Sequence, residues 1–283
     1  MGVYTGHLGA INGISNVRNW TIEDTSDPKT AVTSATRRGT ARKGGVRSWT
    51  GTFSQYGASP SYMPGDTIPF VGYRNSATDI RNTAGIRSTG DVIVDSVALA
   101  WNWNANEILS TVTNFSGDGV LTHASGAGVL DATVPEFRTP CGTNVMLSEA
   151  VLPDVLTASL TFSISNQAVV SSSTYDAVSG ACWTKRKRGS ALDFTLAITQ
   201  YNEAGIAPVA ISDDAIVKLF VNTTDFWELK WCQLQGVTGV SVDVETGAII
   251  QQTLNLNFNG VRNGALGHIR RPGSATDYWP STP

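Results

Sequence analysis

The chain has 283 residues, 41% of them hydrophobic and only 15% charged, with 28 glycines and a formal charge of −3 from 20 basic and 23 acidic side chains. This length buries a substantial core without staples, and the near balance of charge excludes the global basic footprint of a sequence-independent nucleic-acid binder. Helix-period apolar patterns are scarce and Thr, Ser, Val and Asn abundant, which points to an all-β protein.

The opening "MGVYTGHLGA" has neither a basic nor an apolar leader region, and Gly6 stands where myristoylation of Gly2 would want Ser or Thr. No apolar run approaches the roughly 20 residues that span a bilayer, so no membrane span is expected and the chain is read as cytoplasmic. A first strand is predicted over Val17–Ile22, then a basic segment, Thr36–Arg47, and a second strand, "WTGTFSQY", Trp49–Tyr56. The turn and strand "PGDTIPFVGY", Pro64–Tyr73, follow, and then a hairpin over Val97–Gly117 that turns at Asn104-Ala-Asn106.

Residues 116–137 are glycine-rich, yet Val120, Leu121, Val129, Leu130 and Val134 make them too apolar for a free linker. They read as a connecting arm that packs on something. "TNVMLSEAVLP", Thr143–Pro153, is the best helical candidate. The same order of features then returns: "TASLTF" (Thr157–Phe162), the basic "TKRKRG" (Thr184–Gly189), "FTLAITQY" (Phe194–Tyr201), "SDDAIVKLFV" (Ser212–Val221), and a hairpin over Val240–Gly260 turning at Glu245-Thr-Gly247. Val17 aligns with Thr157 and Trp49 with Phe194, which reads as a diverged internal duplication. The turn-rich C-terminus is expected to dock through Tyr278 and Trp279 or to be loosely ordered.

In the last hairpin, Gln251, Thr253, Asn255, Asn257 and Asn259 share one strand face, and Leu254, Leu256 and Phe258 share the other. The polar row is uncharged, which is unusual for a solvated strand. The equivalent strand of the first copy puts Ser110, Asn114 and Ser116 on one face and Thr111 and Thr113 on the other.

Chemical motifs are absent: there is no GxSxG elbow and no GxGxxG or GxxxxGK[ST] loop. Cys141, Cys182 and Cys232 have no metal or disulfide spacing and read as small buried hydrophobes. His7, His123 and His268 are scattered and read as surface or terminal residues. The carboxylate doublets Glu23/Asp24 and Asp213/Asp214 point to opposite strand faces and, with Glu203, read as solvated rather than as a glycosidase pair. No catalytic, cofactor or metal site is expected. The basic residues Arg37, Arg38, Arg42, Lys43 and Arg47, and Lys185, Arg186, Lys187 and Arg188, are read as subunit contacts that meet acids such as Asp24, Asp27, Asp213 and Asp214. Nucleic-acid binding is the alternative. Trp101 and Trp103 at alternate positions leave a carbohydrate- or receptor-binding β-sandwich open, against filling of a core.

The succession "SATRRGTARKGGVRSWTGTFSQYG", "PSYMPGDTIPFVGY", "GDVIVDSVALAWNWN" and "ILSTVTNFSGDGVL" resembles the major tail tube protein of long-tailed bacteriophages over roughly residues 15–121. The second half shares the pattern only through the repeat, and has "ISDD" in place of the Pro-Gly-Asp turn. The resemblance implies two tandem tail-tube-like β-sandwich domains, 1–117 and 151–262, joined by an arm (118–150) and followed by a tail (263–283). Their strands would join neighbouring subunits in a closed β-barrel ring. It also implies a structural virion protein, not an enzyme, whose rings are trimeric and pseudo-sixfold. Those rings stack into a tube for DNA, assembled in the host cytoplasm with tape-measure, baseplate and terminator proteins; a tube-like baseplate or terminator component is the near alternative. Gln251, Thr253, Asn255, Asn257 and Asn259 would then face the lumen, where neutral side chains avoid the phosphate contacts that would retard passage.

Overall fold

A computed structural model describes residues 10–11, 13–32, 41–74, 86–126, 137–189, 191–201, 214–238, 251–258, 261–262 and 265–275. The described residues are all β, with one 3-10 turn, Ser172–Thr174, and no α-helix. In chain order the first strands are β1 (Ala10–Ile11), β2 (Val17–Ala31), β3 (Ala41–Tyr56), β4 (Thr67–Tyr73), β5 (Ile86–Asn102), β6 (Ser110–Gly117) and β7 (Thr122–Ser125). Next come β8 (Val145–Leu147), β9 (Ala150–Val151), β10 (Val155–Ile164), β11 (Gln167–Val169), β12 (Tyr175–Asp176), β13 (Ala181–Trp183) and β14 (Lys185–Lys187). The last are β15 (Leu192–Tyr201), β16 (Asp214–Phe220), β17 (Phe226–Thr238), β18 (Gln251–Phe258), β19 (Val261–Arg262), β20 (Ala265–Leu266) and β21 (His268–Arg270).

Seventeen of these strands form one mixed sheet, in which β3 with β13 is the parallel pair. Its spine runs β2-β3-β6-β5-β10-β15-β18-β17, every neighbour antiparallel. No pairing among the described residues closes this sheet on itself.

The spine contains one pairing order twice. In the first half β2-β3-β6-β5 is joined by β4 on one side of β5 and β7 on the other; in the second, β10-β15-β18-β17 is joined by β16 and β21 in the same places. Both β5 and β17 carry a bulge at the same point of the ladder, between Val94 and Ser96 and between Leu234 and Gly236. Ladder register makes Trp49 the counterpart of Phe194, as the sequence comparison does, but shifts the first strand. Asn19, opposite Ser54, takes the place of Thr157, opposite Thr199. The two-residue slip keeps side chains on their faces, because strand side chains repeat every two residues.

Long strands let one chain build two layers. Residues 87–93 of β5 pair with β4, whereas residues 96–102 pair with β10, so the strand changes neighbours at its bulge. Phe70 of β4 packs on Phe115 (centroids 5.1 Å) and Trp49 (5.9 Å) of the spine, and Trp227 packs on Phe162 at 5.2 Å. Buried residues of both halves make one contiguous cluster, and the Trp227 indole N–H donates to the Ala58 carbonyl at 2.8 Å, tying the halves together. Each buried aromatic removes 150–250 Å² from water, so this layer contact dominates stability.

The expected helix over Thr143–Pro153 is instead the hairpin β8–β9, with Leu147 opposite Ala150. Ser148 and Glu149 both have positive φ, 48° and 72°, which makes the two-residue turn that matches strand twist. Val145 and Leu147 are buried while Met146 is less so, a period of two. In the connecting arm, Val120 and Leu121 do pack on the core; residues 127–136 lie outside the described residues, as do Tyr278 and Trp279.

Candidate functional site

Alternation along eight neighbouring strands gives the spine two unlike faces. One row of paired residues reads Gln55, Thr111, Leu99, Leu160, Leu196, Leu256 and Leu234 from β3 to β17, and all are buried. The row beside it crosses all eight strands on the other face: Asn19, Ser54, Val112, Ala98, Thr161, Thr195, Asn257, Gln233. None of these eight is charged.

Of the residues expected on a neutral face, Gln251, Thr253, Asn255 and Asn257 do share it, opposite Tyr201, Thr199, Ala197 and Thr195. Asn259 lies outside the described residues. Hydroxyls and amides join across strands: Thr199 with Thr253 at 3.0 Å, Thr21 with Thr52 at 3.0 Å, and Asn255 Nδ2 donating to Thr238 Oγ1 at 3.1 Å. Asn114 Nδ2 likewise donates to Ser96 Oγ at 2.9 Å. Such cross-strand pairs stabilise a sheet by about 0.2–1 kcal/mol each and hold the polar side chains in place.

The face is larger than the sequence reading found. Thr157, Ser159, Thr161 and Ser163 of β10, and Thr50, Thr52 and Ser54 of β3, lie on it as well. Their Thr-x-Ser-x-Thr alternation is the signal that could have revealed them. Thr111 and Thr113 sit on the opposite, buried face, as the alternation requires, and Thr111 Oγ1 donates to the Gly57 carbonyl at 2.7 Å.

Charge on this face is mostly acidic, and a cation stands at its β2 end, where Arg18 lies over the Tyr56 ring at 5.9 Å. Glu23 lies opposite Thr50, Asp193 opposite Ser163, and the Asp95 carboxylate at the β5 bulge accepts from Ser116 Oγ at 2.5 Å and Asn166 Nδ2 at 2.7 Å. No Lys or Arg occurs in the spine segments 19–25, 49–56, 96–102, 110–117, 157–163, 193–201, 232–238 and 251–258.

Two clusters of cations lie outside this face, at matching places in the two halves. β3 continues the β2–β3 hairpin outward through residues 41–47, and β14, paired with β11, continues the β10–β15 hairpin in the same direction. Arg42 and Lys43 lie on the first ribbon, where only their backbone is described, and Arg37 and Arg38 fall outside the described residues. Lys185 and Lys187 are exposed. Arg186 is half-buried, with its backbone N–H on Asp118 Oδ1 at 2.7 Å. Arg188 covers the Pro64-Gly65-Asp66 turn: a Cβ on Gly65, whose φ is 89°, would come within 2.6 Å of its Nε. The acid expected to await a neighbour, Asp24, is engaged within the chain by Arg47, which also stacks on Trp183 at 4.4 Å; Asp27 is likewise paired with Lys29.

Other single-residue expectations change too. Cys232 is buried, and loss of water pushes its thiol far above the ordinary range, but Cys141 is exposed and Cys182 intermediate. His268 is buried, not superficial, with Nε2 2.6 Å from Glu228 Oε1 on the paired strand. Trp101 is 1% exposed and donates to the Phe220 carbonyl, which removes it from any sugar-stacking platform. An open cleft of about 590 Å³ beside β4 and β12 is bordered by Asp91, Asp118 and Asp176. Hydrogen bonds from the Ser179 side chain and backbone hold the Asp176 carboxyl below its usual range. Among the described residues no group of His, Cys, Asp and Glu is spaced to hold a metal, and no helix is long and apolar enough to cross a membrane.

The chain matches no protein-family model and no curated protein.

Proposed function

We propose that the chain is a structural subunit of a bacteriophage tail tube, made of two fused copies of one tube unit, whose rings stack around a DNA-conducting lumen. The observation that carries this reading is the eight-strand face made mainly of small, uncharged polar side chains, whose paired segments from Asn19 onward hold no Lys or Arg. Each phosphate neutralised by Lys or Arg adds salt-dependent affinity, so a wall of Thr, Ser, Asn and Ala lets DNA slide without capture. The repeated pairing order supports a duplicated unit, and the resemblance of residues 15–121 supports its kind. Three copies would then supply six units to each ring, and closure between copies would remove the sheet edges that a lone chain leaves open.

In this reading Arg37, Arg38, Arg42 and Lys43, and Lys185 to Arg188, meet neighbouring subunits or rings away from the lumen wall. Tape-measure, baseplate and terminator proteins are the expected tail partners, the virion is the site of action, and no step of catalysis is involved. Negative-stain electron microscopy of the purified chain over a concentration series tests this. Hollow tubes or stacked threefold rings are expected; a particle that stays single-copy at the highest concentration overturns it.

A further inference from the structure

Two strands of the spine have a side with no partner strand among the described residues. β2 pairs only with β3, and the Gly236–Thr238 end of β17 pairs only with β18. Such edges present unpaired N–H and C=O groups, and proteins normally blunt them with Pro, Lys or bulges. On β2 those devices sit at the two ends, a bulge at Val17–Asn19 and then a bulge after Asp27 with Pro28 and Lys29, and leave Asn19–Ser26 without Pro, Lys or a bulge.

The chain contains the joint that these edges lack. β5, which holds the place of β17 in the repeat, pairs with β10, which holds the place of β2, in an unbroken antiparallel ladder from Ser96↔Ser163 to Asn102↔Thr157. At that joint Ala158, Leu160 and Phe162 of β10 are 2%, 0% and 0% exposed. Their counterparts on the open strand, Trp20 and Ile22, are only partly buried and Asp24 is exposed. Among the described residues β10 has neighbour strands on both sides and β2 on one.

We infer that β2 of one copy adds to the end of β17 of a second copy in the register of the internal β5–β10 joint. That register puts Thr238 opposite Glu23, as Ala98 is opposite Thr161, and Gly236 opposite Thr25, as Ser96 is opposite Ser163. The contact is head-to-tail, using different edges of each copy, so it repeats from copy to copy and ends only when a ring closes. It continues the polar face across the joint, with the acid Glu23 facing Thr238 there. The inference deepens the tube reading and rests on it.

The test uses the full chain with Cys141→Ser and Cys182→Ser, carrying Glu23→Cys and Thr238→Cys, treated with a short bis-maleimide and run on a denaturing gel. Ala98→Cys with Thr161→Cys in the same background is the control, because it reports the internal joint of identical register. The expected result is a covalent ladder that stops at three copies, with the control linking only within the chain. Rings or tubes that give no ladder while the control links would overturn the proposed joint and leave the tube reading standing. A ladder from a chain that builds no rings would uphold the joint and overturn the tube reading. Single copies without a ladder would overturn both.

Discussion

Adjacent residues on one spine strand have opposite duties, and Thr161 with Phe162 shows the difference. Phe162 is fully buried between Phe194, at 6.0 Å, and Trp227, at 5.2 Å, whereas Thr161 shares the neutral face. Phe162→Ala leaves a cavity where the two layers meet and is expected to cost about 3–5 kcal/mol in urea unfolding. Thr161→Ala, on the other face, is expected to stay within about 0.5 kcal/mol. The cysteines provide a second residue-scale check. Only the thiolate reacts, and burial keeps the Cys232 thiol protonated, so maleimide at neutral pH should label Cys141 first, Cys182 more slowly, and Cys232 only after denaturant is added. Mass spectrometry of the digest reads the order; early labelling of Cys232 would contradict its burial.

At the scale of the element, the cross-strand pair is what the two halves of the spine vary. Gly51 lies opposite Phe115, and its counterpart Leu196 opposite Leu256. A Cβ on Gly51 would stand 2.4 Å from the Phe115 ring and 2.4 Å from the Thr21 carbonyl oxygen, so the ring occupies the room that glycine leaves. Gly51→Ala is therefore expected to lower stability by about 1–3 kcal/mol, measured as a shift in the denaturation midpoint. This pairwise exchange also explains what could be read from sequence. Alternation of Gln251, Thr253, Asn255 and Asn257 with leucines was legible because period two survives any volume swap that keeps to its face. The offset of β2 was not, since Val17–Ile22 fits Thr157–Phe162 equally well two residues to either side, and only pairing with β3 settles it. Thr143–Pro153 misled because nothing in Ser148-Glu149 announces positive φ, as Asn-Gly would have done. His268 looked isolated because Glu228, its hydrogen-bond partner, is forty residues away and reaches it only through β17–β21 pairing.

For the whole molecule, the sign and placement of charge determine behaviour toward DNA. The proposed lumen wall has acids and, apart from Arg18 at its β2 end, no cation in its paired segments, while the basic clusters lie on the extensions of β3 and on β14. Duplex DNA mixed with the wild-type assembly at physiological salt is expected to migrate freely in a gel-shift assay. Asn255→Lys with Asn257→Lys adds two cations to the face in every copy and is expected to retard DNA, with retention that falls as salt rises. If the variant retards DNA no more than wild type does, these positions do not face it.

The Gly51–Phe115 and Leu196–Leu256 pairs set a limit on which strands can be exchanged between the two halves. A chimera could be built that puts a strand of one half beside a strand of the other. Leucine would then meet phenylalanine at one such splice, and glycine would meet leucine at the reciprocal one, overfilling the first and hollowing the second. Such an exchange keeps its packing only when both members of a pair travel together, so each half is locked to its own strands.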